Sequence, residues 1–292
     1  MIILDLNQVM ISNMMAQIGG RKVDVSEDLL RHMVLNSIRA IRQKFYEEYG
    51  ELVIAVDDRS YWRRDYFPYY KAQRKNWREQ SGLDWAVIFE AINKIRDELR
   101  DNFPYKYIMV DGAEADDIIG TLCKELSQDS IKNIIVSGDK DFIQLQKYPN
   151  VEQYDPVRKR MLKSDDPRSD LIAHIMSGDK GDGVPNVLSK DDCFINGRQK
   201  PLRKTFIAEV QSLPRTPIGT VQAVALEGYT EDFVRNYKRN EMLIDLDNCP
   251  DSIRLNILEQ YNTEVDSMRR PKLMTYFIDN RLKGLMEHIG EF

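Results

Sequence analysis

The sequence predicts an α/β protein: a central, mostly parallel sheet flanked by helices, followed by a smaller, mainly helical C-terminal part. Three observations carry this. The runs Ile2-Ile3-Leu4, Leu52-Val53-Ile54-Ala55-Val56 and Ile134-Ile135-Val136 are short, continuous and rich in Ile and Val. Such runs fit strands buried on both faces of a parallel sheet. Helical stretches alternate with them, which demands right-handed crossovers. Beyond about residue 165 the strand-like runs stop and helical spacing continues.

The elements follow in order. The first strand, residues 2–5, leads into a polar loop. Ser26 then reads as an N-cap, with Glu27 and Asp28 in the first turn where the helix dipole favours acids. Leu30, Met33, Val34, Ile38, Ile41 and Phe45 keep helical spacing, and Gly50 ends the helix. Strand 52–57 is followed by a basic, aromatic stretch from Arg59 to about Arg78. A second long helix begins near Asp84, with Trp85, Ile88, Ile92, Ile95 and Leu99 on one face. Residues 107–110 form a further strand, residues 114–126 a helix with Ala115, Ile118, Ile119, Leu122, Cys123 and Leu126 as its core stripe, and strand 134–137 delivers Asp139. Ser164-Asp165-Asp166-Pro167 marks a boundary between domains 1–165 and 166–292, and the helical candidates beyond it are 168–177, 203–212, 218–226, 230–243, 250–260 and 271–288.

Bulk properties exclude several classes. An apolar content of 42% supports a real core, and no apolar stretch approaches the length that spans a bilayer. The run Met1-Ile2-Ile3-Leu4 lacks a basic flank and is stopped by Asp5, so it does not read as a signal peptide. Cys123, Cys193 and Cys249 are too widely spaced for a disulfide framework or a zinc knuckle, which points to a reducing cytosol. His32, His174 and His288 are scattered, which argues against a histidine-based catalytic or zinc site. The net charge of −5 does not exclude a nucleic-acid partner, because the distribution of charge governs binding.

Each of the three apolar runs leads to an aspartate: Asp5, Asp57 and Asp139. Ligands of open α/β sheets bind outside the carboxyl ends of the strands, so these acids converge on one place. The helix at 114–126 also follows a strand, and its start carries Asp111, Glu114, Asp116 and Asp117, more acids than capping needs. Asp117 reads either as a helper or as a cap. Asp139 and Asp141 are two apart, so in extended backbone they point the same way. Asp179 and Asp182 lie in a glycine-rich bend that, taken alone, is an ordinary turn. Carboxylates gathered this closely repel, and without cations some stay protonated. Oxygen-only ligands suit Mg²⁺ or Mn²⁺. Two such ions roughly 3.5–4 Å apart stabilise the attacking and leaving oxygens of phosphoryl displacement. The acids therefore favour metal-dependent cleavage of a phosphodiester.

Between Arg59 and Arg78, the cations Arg59, Arg63, Arg64, Lys71, Arg74, Lys75 and Arg78 interleave with Tyr61, Trp62, Tyr66, Phe67, Tyr69, Tyr70 and Trp77. Cations track phosphates, and rings stack on unpaired bases. The competing reading is a packed loop whose rings fill the core. Because the stretch follows Asp57 directly, it overhangs the acidic centre.

Four segments together resemble the 5′ nuclease family of flap endonucleases and 5′→3′ exonucleases. They are Tyr70-Lys71-Ala72-Gln73-Arg74, Glu114-Ala115-Asp116-Asp117-Ile118-Ile119, Val136-Ser137-Gly138-Asp139-Lys140-Asp141-Phe142-Ile143-Gln144-Leu145, and Gly178-Asp179 through Val187. Tyr61-Trp62-Arg63-Arg64-Asp65 and the final Glu291-Phe292 are similar to its phage branch. The resemblance implies a PIN-like core bearing a basic arch at about 59–84, and a helical DNA-binding domain that contributes Asp179 and Asp182. It implies two Mg²⁺ ions, with Mn²⁺ able to substitute. Asp5, Asp57, Glu114, Asp116 and Asp139 correspond to a first metal cluster, Asp141, Asp179 and Asp182 to a second, and Asp117 to a ligand through water. Lys71 and Arg74 correspond to the arch residues on the scissile phosphate. Arg59, Arg63, Arg64 and Lys75 would add nucleic-acid contacts, as would Lys190, Lys200, Arg203 and Lys204.

The implied activity is removal of nucleotides from 5′ ends and flaps of DNA and RNA–DNA duplexes, including RNA primers of the lagging strand. The resemblance implies a monomer in the host-cell cytoplasm, working with a single-strand-binding protein and a sliding clamp. One departure stands out: residues 186–204 lack the family's Gly-x-Gly-x-Lys-Thr-Ala hairpin, so the likeness does not extend to a potassium site there. Two alternatives remain. A haloacid-dehalogenase-like phosphatase wants Asp-x-Asp after the first strand, where this chain has Asp5-Leu6-Asn7. A non-catalytic fork-binding protein would bind branched DNA without cutting it.

Overall fold

The structure, a computed structural model, describes residues 1–18, 26–127, 131–216, 220–265 and 269–292. Six strands form one sheet: β1 (Ile2–Asp5), β2 (Leu52–Ala55), β3 (Lys106–Ile108), β4 (Asn133–Val136), β5 (Val151–Asp155) and β6 (Arg160–Leu162). Their spatial order is β3-β2-β1-β4-β5-β6. All neighbours run parallel except β5 and β6. The chain winds outward from β1 to β3 and restarts at β4 on the other side of β1. This leaves a crevice at the carboxyl ends of β1 and β4, the place where such sheets bind ligands.

The helices are α1 (Leu6–Ile18), α2 (Glu27–Tyr49), α3 (Trp62–Tyr66), α4 (Arg74–Gln80), α5 (Trp85–Asn102), α6 (Ala115–Leu126), α7 (Pro167–Ser177), α8 (Cys193–Asn196), α9 (Lys204–Gln211), α10 (Glu231–Ile244), α11 (Asp251–Asn262), α12 (Arg269–Asp279) and α13 (Lys283–Met286). Ser26 caps α2 by accepting from the Leu29 amide, and Asp84 caps α5 through the Ala86 and Val87 amides. Both satisfy donors that a helix start leaves free.

Several expectations are corrected. The loop expected after β1 is instead α1, which starts directly at Leu6 and buries Leu6, Val9, Met10 and Met14. The polar residues between them, Asn7, Gln8, Ser12 and Asn13, disguise this stripe in the sequence. The hairpin β5–β6 is also new. Its strand β5 reads as polar, yet Gln153 is fully buried and spends its amide on the carbonyls of Ser137 (3.0 Å) and Asp139 (2.6 Å). Residues 218 and 219 of the expected helix 218–226 lie outside the described residues, and Ala223–Leu226 is a 3₁₀ turn. The expected helix 271–288 is broken between α12 and α13, where Arg281 takes φ 54°.

Alternate strand residues enter opposite layers, as the period of two requires. Ile2, Leu4, Leu52, Ile54, Ile134 and Val136 pack with α1, α2 and α5. Met1, Ile3, Val53, Ala55 and Ile135 pack with α6 and α11. A third core joins α7 and α10 to Phe67, Tyr70 and Val184. From Leu246 the chain returns to the sheet. Ile253 and Ile257 of α11 cover one layer, while Leu273, Tyr276, Phe277, Leu285 and Phe292 cover the other. Cys123, Cys193 and Cys249 are buried free thiols.

Candidate metal and nucleic-acid site

The acids are delivered by the sheet. Asp5 closes β1, and Asp57 stands two residues beyond β2. Asp139 stands three beyond β4, where it caps a 3₁₀ segment, Lys140–Lys147, that carries Asp141. Ser137 ties two of these ends together: its hydroxyl donates to Asp5 Oδ2 (3.2 Å) and accepts from the Asp139 amide (3.1 Å). Asp57 accepts from the Asn7 side chain (2.7 Å) and from the Ala115 amide (2.6 Å), so it anchors the first turn of α6. That turn brings Glu114 and Asp116. The bend after α7 brings Asp179 and Asp182, whose positions are locked by a 3.0 Å bond from the Asp182 amide to Asp179 Oδ1.

The electrostatics link these acids. Burial pushes Asp5 up to about 8, with Asp57 and Asp139 adding repulsion. Burial also holds Asp116 well above the carboxylate range, with Glu114, Asp139 and Asp5 adding to it. Asp139 is raised by burial and by Asp182 and Asp179. Asp141 reaches about 7 through burial, Asp139, Asp179 and Asp182. Asp116, Asp141, Asp179 and Asp182 line one small hollow together with Arg63 and Tyr70. Acids from five separate segments thus repel one another across a shared space, the situation in which carboxyl groups retain protons or take cations.

Two acids behave oppositely. For Asp179, burial is outweighed by His174 and Lys140, which hold it well below its usual value; Nε2 of His174 is 3.1 Å and Nζ of Lys140 is 2.8 Å from Asp179 Oδ2. For Asp182, burial is outweighed by Lys71 and Arg74. Arg74 bonds its carboxylate, and Lys71 Nζ lies 3.6 Å away. Lys71 also bonds Glu114, and its backbone sits at φ 56° while its amide donates to the Asp182 carbonyl (2.7 Å). The start of the arch is therefore clamped to the 179–183 bend. Gln73 reinforces this by donating to the Lys180 carbonyl (2.8 Å).

Asp117 keeps different company. It is fully buried and accepts from Arg63 (2.8 and 2.9 Å), Trp62 (3.2 Å) and the Glu114 amide (3.0 Å), closing a capping box at α6. Arg63 corrects the sequence reading. It is 1% exposed and bonds Glu114, Asp117 and the Leu243 carbonyl, so it cannot meet nucleic acid. Its neighbours Arg59, Arg64, Arg74 and Lys75 are exposed, together with the rings of Tyr66 and Trp77. Phe67 and Tyr70 are core residues, as the packed-loop reading held for part of the stretch. Lys190, Lys200, Arg203 and Lys204 are exposed, and the first two border a cleft of about 560 Å³ with Arg235.

Sequence reasoning missed three polar residues here. Tyr70 places its hydroxyl 3.0 Å from Glu114 Oε2 and 2.8 Å from Asp182 Oδ2, bridging two acids. Ser137, within the motif Val136 to Leu145, carries no sequence signal of its tie between Asp5 and Asp139. His174, one of three scattered histidines in the sequence, forms with Asp141 and Asp179 a group whose ligand atoms lie within 4.8 Å of one another. Its only sequence signal is its place five residues before Asp179.

A crowded carboxylate centre at the switch point of a wound sheet, faced by a basic segment, defines the class as a phosphodiester-cutting enzyme. Residues 3–180 match the family model described as 5′-3′ exonuclease, N-terminal resolvase-like domain, and residues 165–292 match the one described as T4 RNase H, C terminal. The chain belongs to the 5′–3′ exonuclease family, whose members are metal-dependent 5′ nucleases. It is 36% identical to ribonuclease H of Enterobacteria phage T4 over 299 residues, covering 99% of this chain and 95% of that protein. The solved T5 5′-exonuclease with divalent zinc ions bound aligns with a TM-score of 0.58 at 16% identity, over 97% of this chain and 98% of that one. The bacteriophage T5 flap endonuclease, solved as a pseudo-enzyme-product complex with DNA and metal ions, gives 0.56 at 14% identity, over 96% and 98%. At such identities these two likenesses speak for the fold alone. Family membership sets aside the phosphatase and the non-catalytic alternatives. No described helix is long and apolar enough to cross a membrane.

Proposed function

We propose that this protein is a two-metal 5′→3′ exonuclease and flap endonuclease acting on DNA and RNA–DNA duplexes, including the removal of RNA primers. The observation that carries the reading is the meeting of Asp5, Asp116, Asp139, Asp141 and Asp182 in mutual repulsion beneath Lys71 and Arg74. The donor set fits divalent cations. It is dominated by carboxylate oxygens, and Oδ1 of Asp141 is buried with no hydrogen-bond partner. Asp5, Asp57, Glu114, Asp116 and Asp139 would hold one ion, and Asp141, Asp179 and Asp182 the other. When bound, the ions supply an activated water and charge stabilisation at the phosphate.

The chain's own residues do the rest. Lys71 and Arg74 sit at the rim of the acids, where their charges meet the scissile phosphate and offset its developing charge. Asn7 and Ser137 fix the rotamers of Asp57 and Asp5. Asp117 serves Arg63 and the cap of α6 rather than a cation. Arg59, Arg64 and Lys75 track the strand that enters, and Lys190, Lys200, Arg203 and Lys204 of the helical part hold duplex phosphates. A single-strand-binding protein and a sliding clamp as partners belong to the same proposal.

The test is incubation of the protein with a 5′-labelled flap and a nicked RNA–DNA duplex, with Mg²⁺ and with chelator. Short 5′ products are expected with Mg²⁺ alone. Asp116→Asn should lose nearly all cleavage while keeping its far-ultraviolet circular dichroism, and Lys71→Ala should slow single-turnover cutting by about 10²-fold or more. Cleavage in chelator, or full activity of Asp116→Asn, would sink the reading.

A further inference from the structure

We propose that His174 is itself a metal ligand, giving an imidazole nitrogen to the cation held by Asp141 and Asp179, so that the second site of this chain mixes nitrogen with oxygen donors. The inference rests on the two-metal reading above and deepens it.

His174 lies in the last turn of α7, whose other face is fixed in the core by Leu171, Ile172, Ile175 and Met176. The chain then turns at Gly178, whose amide donates to the His174 carbonyl (2.8 Å), and comes back to present Asp179 to the same ring. Nε2 stands 3.1 Å from Asp179 Oδ2. Nδ1 stands 3.7 Å from Asp141 Oδ1, which is too long for a hydrogen bond. That Oδ1 is the buried carboxylate oxygen without a hydrogen-bond partner. In the metal-free protein a protonated ring pairs with both carboxylates, and a divalent cation would take over that charge. Donors that share one ion at about 2.1 Å each are separated by roughly 3–4 Å; Nε2 and Asp179 Oδ2 stand at that spacing, and one ring nitrogen with one oxygen each of Asp141 and Asp179 lie within 4.8 Å of one another. Lys140 also bonds Asp179, but its side chain is 63% exposed and can swing into solvent without loss of packing. Imidazole suits Fe²⁺, Ni²⁺ or Zn²⁺ better than Mg²⁺, so His174 would tilt the selectivity of this site toward the transition ions.

The experiment uses Mn²⁺ alone as the probe, on the full chain without nucleic acid, read by electron spin-echo envelope modulation. Bound Mn²⁺ is expected to show coupling to a directly ligated ¹⁴N, replaced by ¹⁵N frequencies when the protein carries ¹⁵N-histidine. A His32→Gln, His288→Gln double variant should keep the signal, and His174→Gln should lose it. Mg²⁺ should displace Mn²⁺ from His174→Gln at a concentration about tenfold lower than from the parent. Mn²⁺ bound with no nitrogen coupling, or coupling retained in His174→Gln, would overturn the role of His174 and leave the two-metal reading standing. Failure of the parent chain to bind Mn²⁺ at all would overturn both. The labelled parent and the double variant keep the test decisive if His174→Gln does not fold.

Discussion

Arg63 and Arg64 are adjacent in sequence and opposite in environment. Arg63 is enclosed by Glu114, Asp117 and the Leu243 carbonyl, whereas Arg64 lies outside with its guanidinium 5.2 Å from the Tyr61 ring. Removing one partner of a buried ion pair leaves the other uncompensated, at a cost of about 3–5 kcal/mol. Arg63→Ala is expected to destabilise by that order in chemical unfolding, and Arg64→Ala by less than about 0.5 kcal/mol. Equal effects would show that the burial of Arg63 is not what matters. The acids make a second residue-scale prediction. Asp5 is pushed up to about 8 and Asp141 to about 7. A carboxyl group whose folded pKa exceeds its unfolded value of about 4 stabilises the fold while protonated, and that contribution is lost as pH rises through the folded value. Metal-free protein should therefore melt on the order of 5 °C lower at pH 8 than at pH 5. Asp5→Asn should reduce the trend without abolishing it, since Asp141 is raised as well, and the N-terminal amine, lowered by burial to about 6, opposes part of it between pH 6 and 8. Asp179 and Asp182, held low, act only below about pH 4 and do not oppose it. Scanning calorimetry in chelator decides the matter, and a flat profile for the parent chain would contradict the repulsion inferred here.

At the scale of elements, the bend 178–183 and the start of the arch are built against each other. Gly178 sits at φ 66° with the Val184 carbonyl 2.3 Å from where a Cβ would stand. Gly183 sits at φ 75°, where a Cβ would meet the Gln73 side chain at 2.4 Å and the Tyr69 carbonyl at 2.9 Å. Gly183→Ala must therefore push residues 69–73 off the bend that holds Asp182. Its expected effect is a fall in single-turnover rate of about tenfold or more with binding of labelled flap little changed, since a small misplacement at a reacting centre is costly. An unaltered rate would show that the two segments move independently. This clamp was hidden in the sequence. Tyr70-Lys71-Ala72-Gln73-Arg74 and Gly178 through Val187 could each be recognised as a motif, but their contact spans more than a hundred residues, and only packing reports it.

For the molecule as a whole, the C-terminal segment is a structural part of the sheet region. Phe292 is 5% exposed and packs edge-on against Phe103 and Phe277, while Glu291 bonds Arg39 of α2. Truncating a buried Phe leaves a cavity worth about 3–5 kcal/mol. Phe292→Ala should lower stability by that order, and deletion of residues 269–292 should leave an aggregation-prone chain with Phe103 uncovered. A deletion variant that melts like the parent would mean the segment is dispensable.

Much of the fold and site was legible in the chain itself. Continuous apolar runs named β1, β2 and β4, the Ser26 cap and the apolar face that begins near Asp84 marked two helix starts, and the rule that parallel sheets bind ligands at their carboxyl ends gathered Asp5, Asp57 and Asp139. These are local or topological consequences of composition and period. What the sequence left open depended on which groups become neighbours: whether Arg63 faces water or Glu114, whether Asp117 meets a cation or a cap, and whether His174 stands alone or between Asp141 and Asp179. Side-chain chemistry alone leaves such choices undecided, because burial and the identity of the nearest opposite charge set the role of an ionisable group, and both exist only once distant segments have packed together.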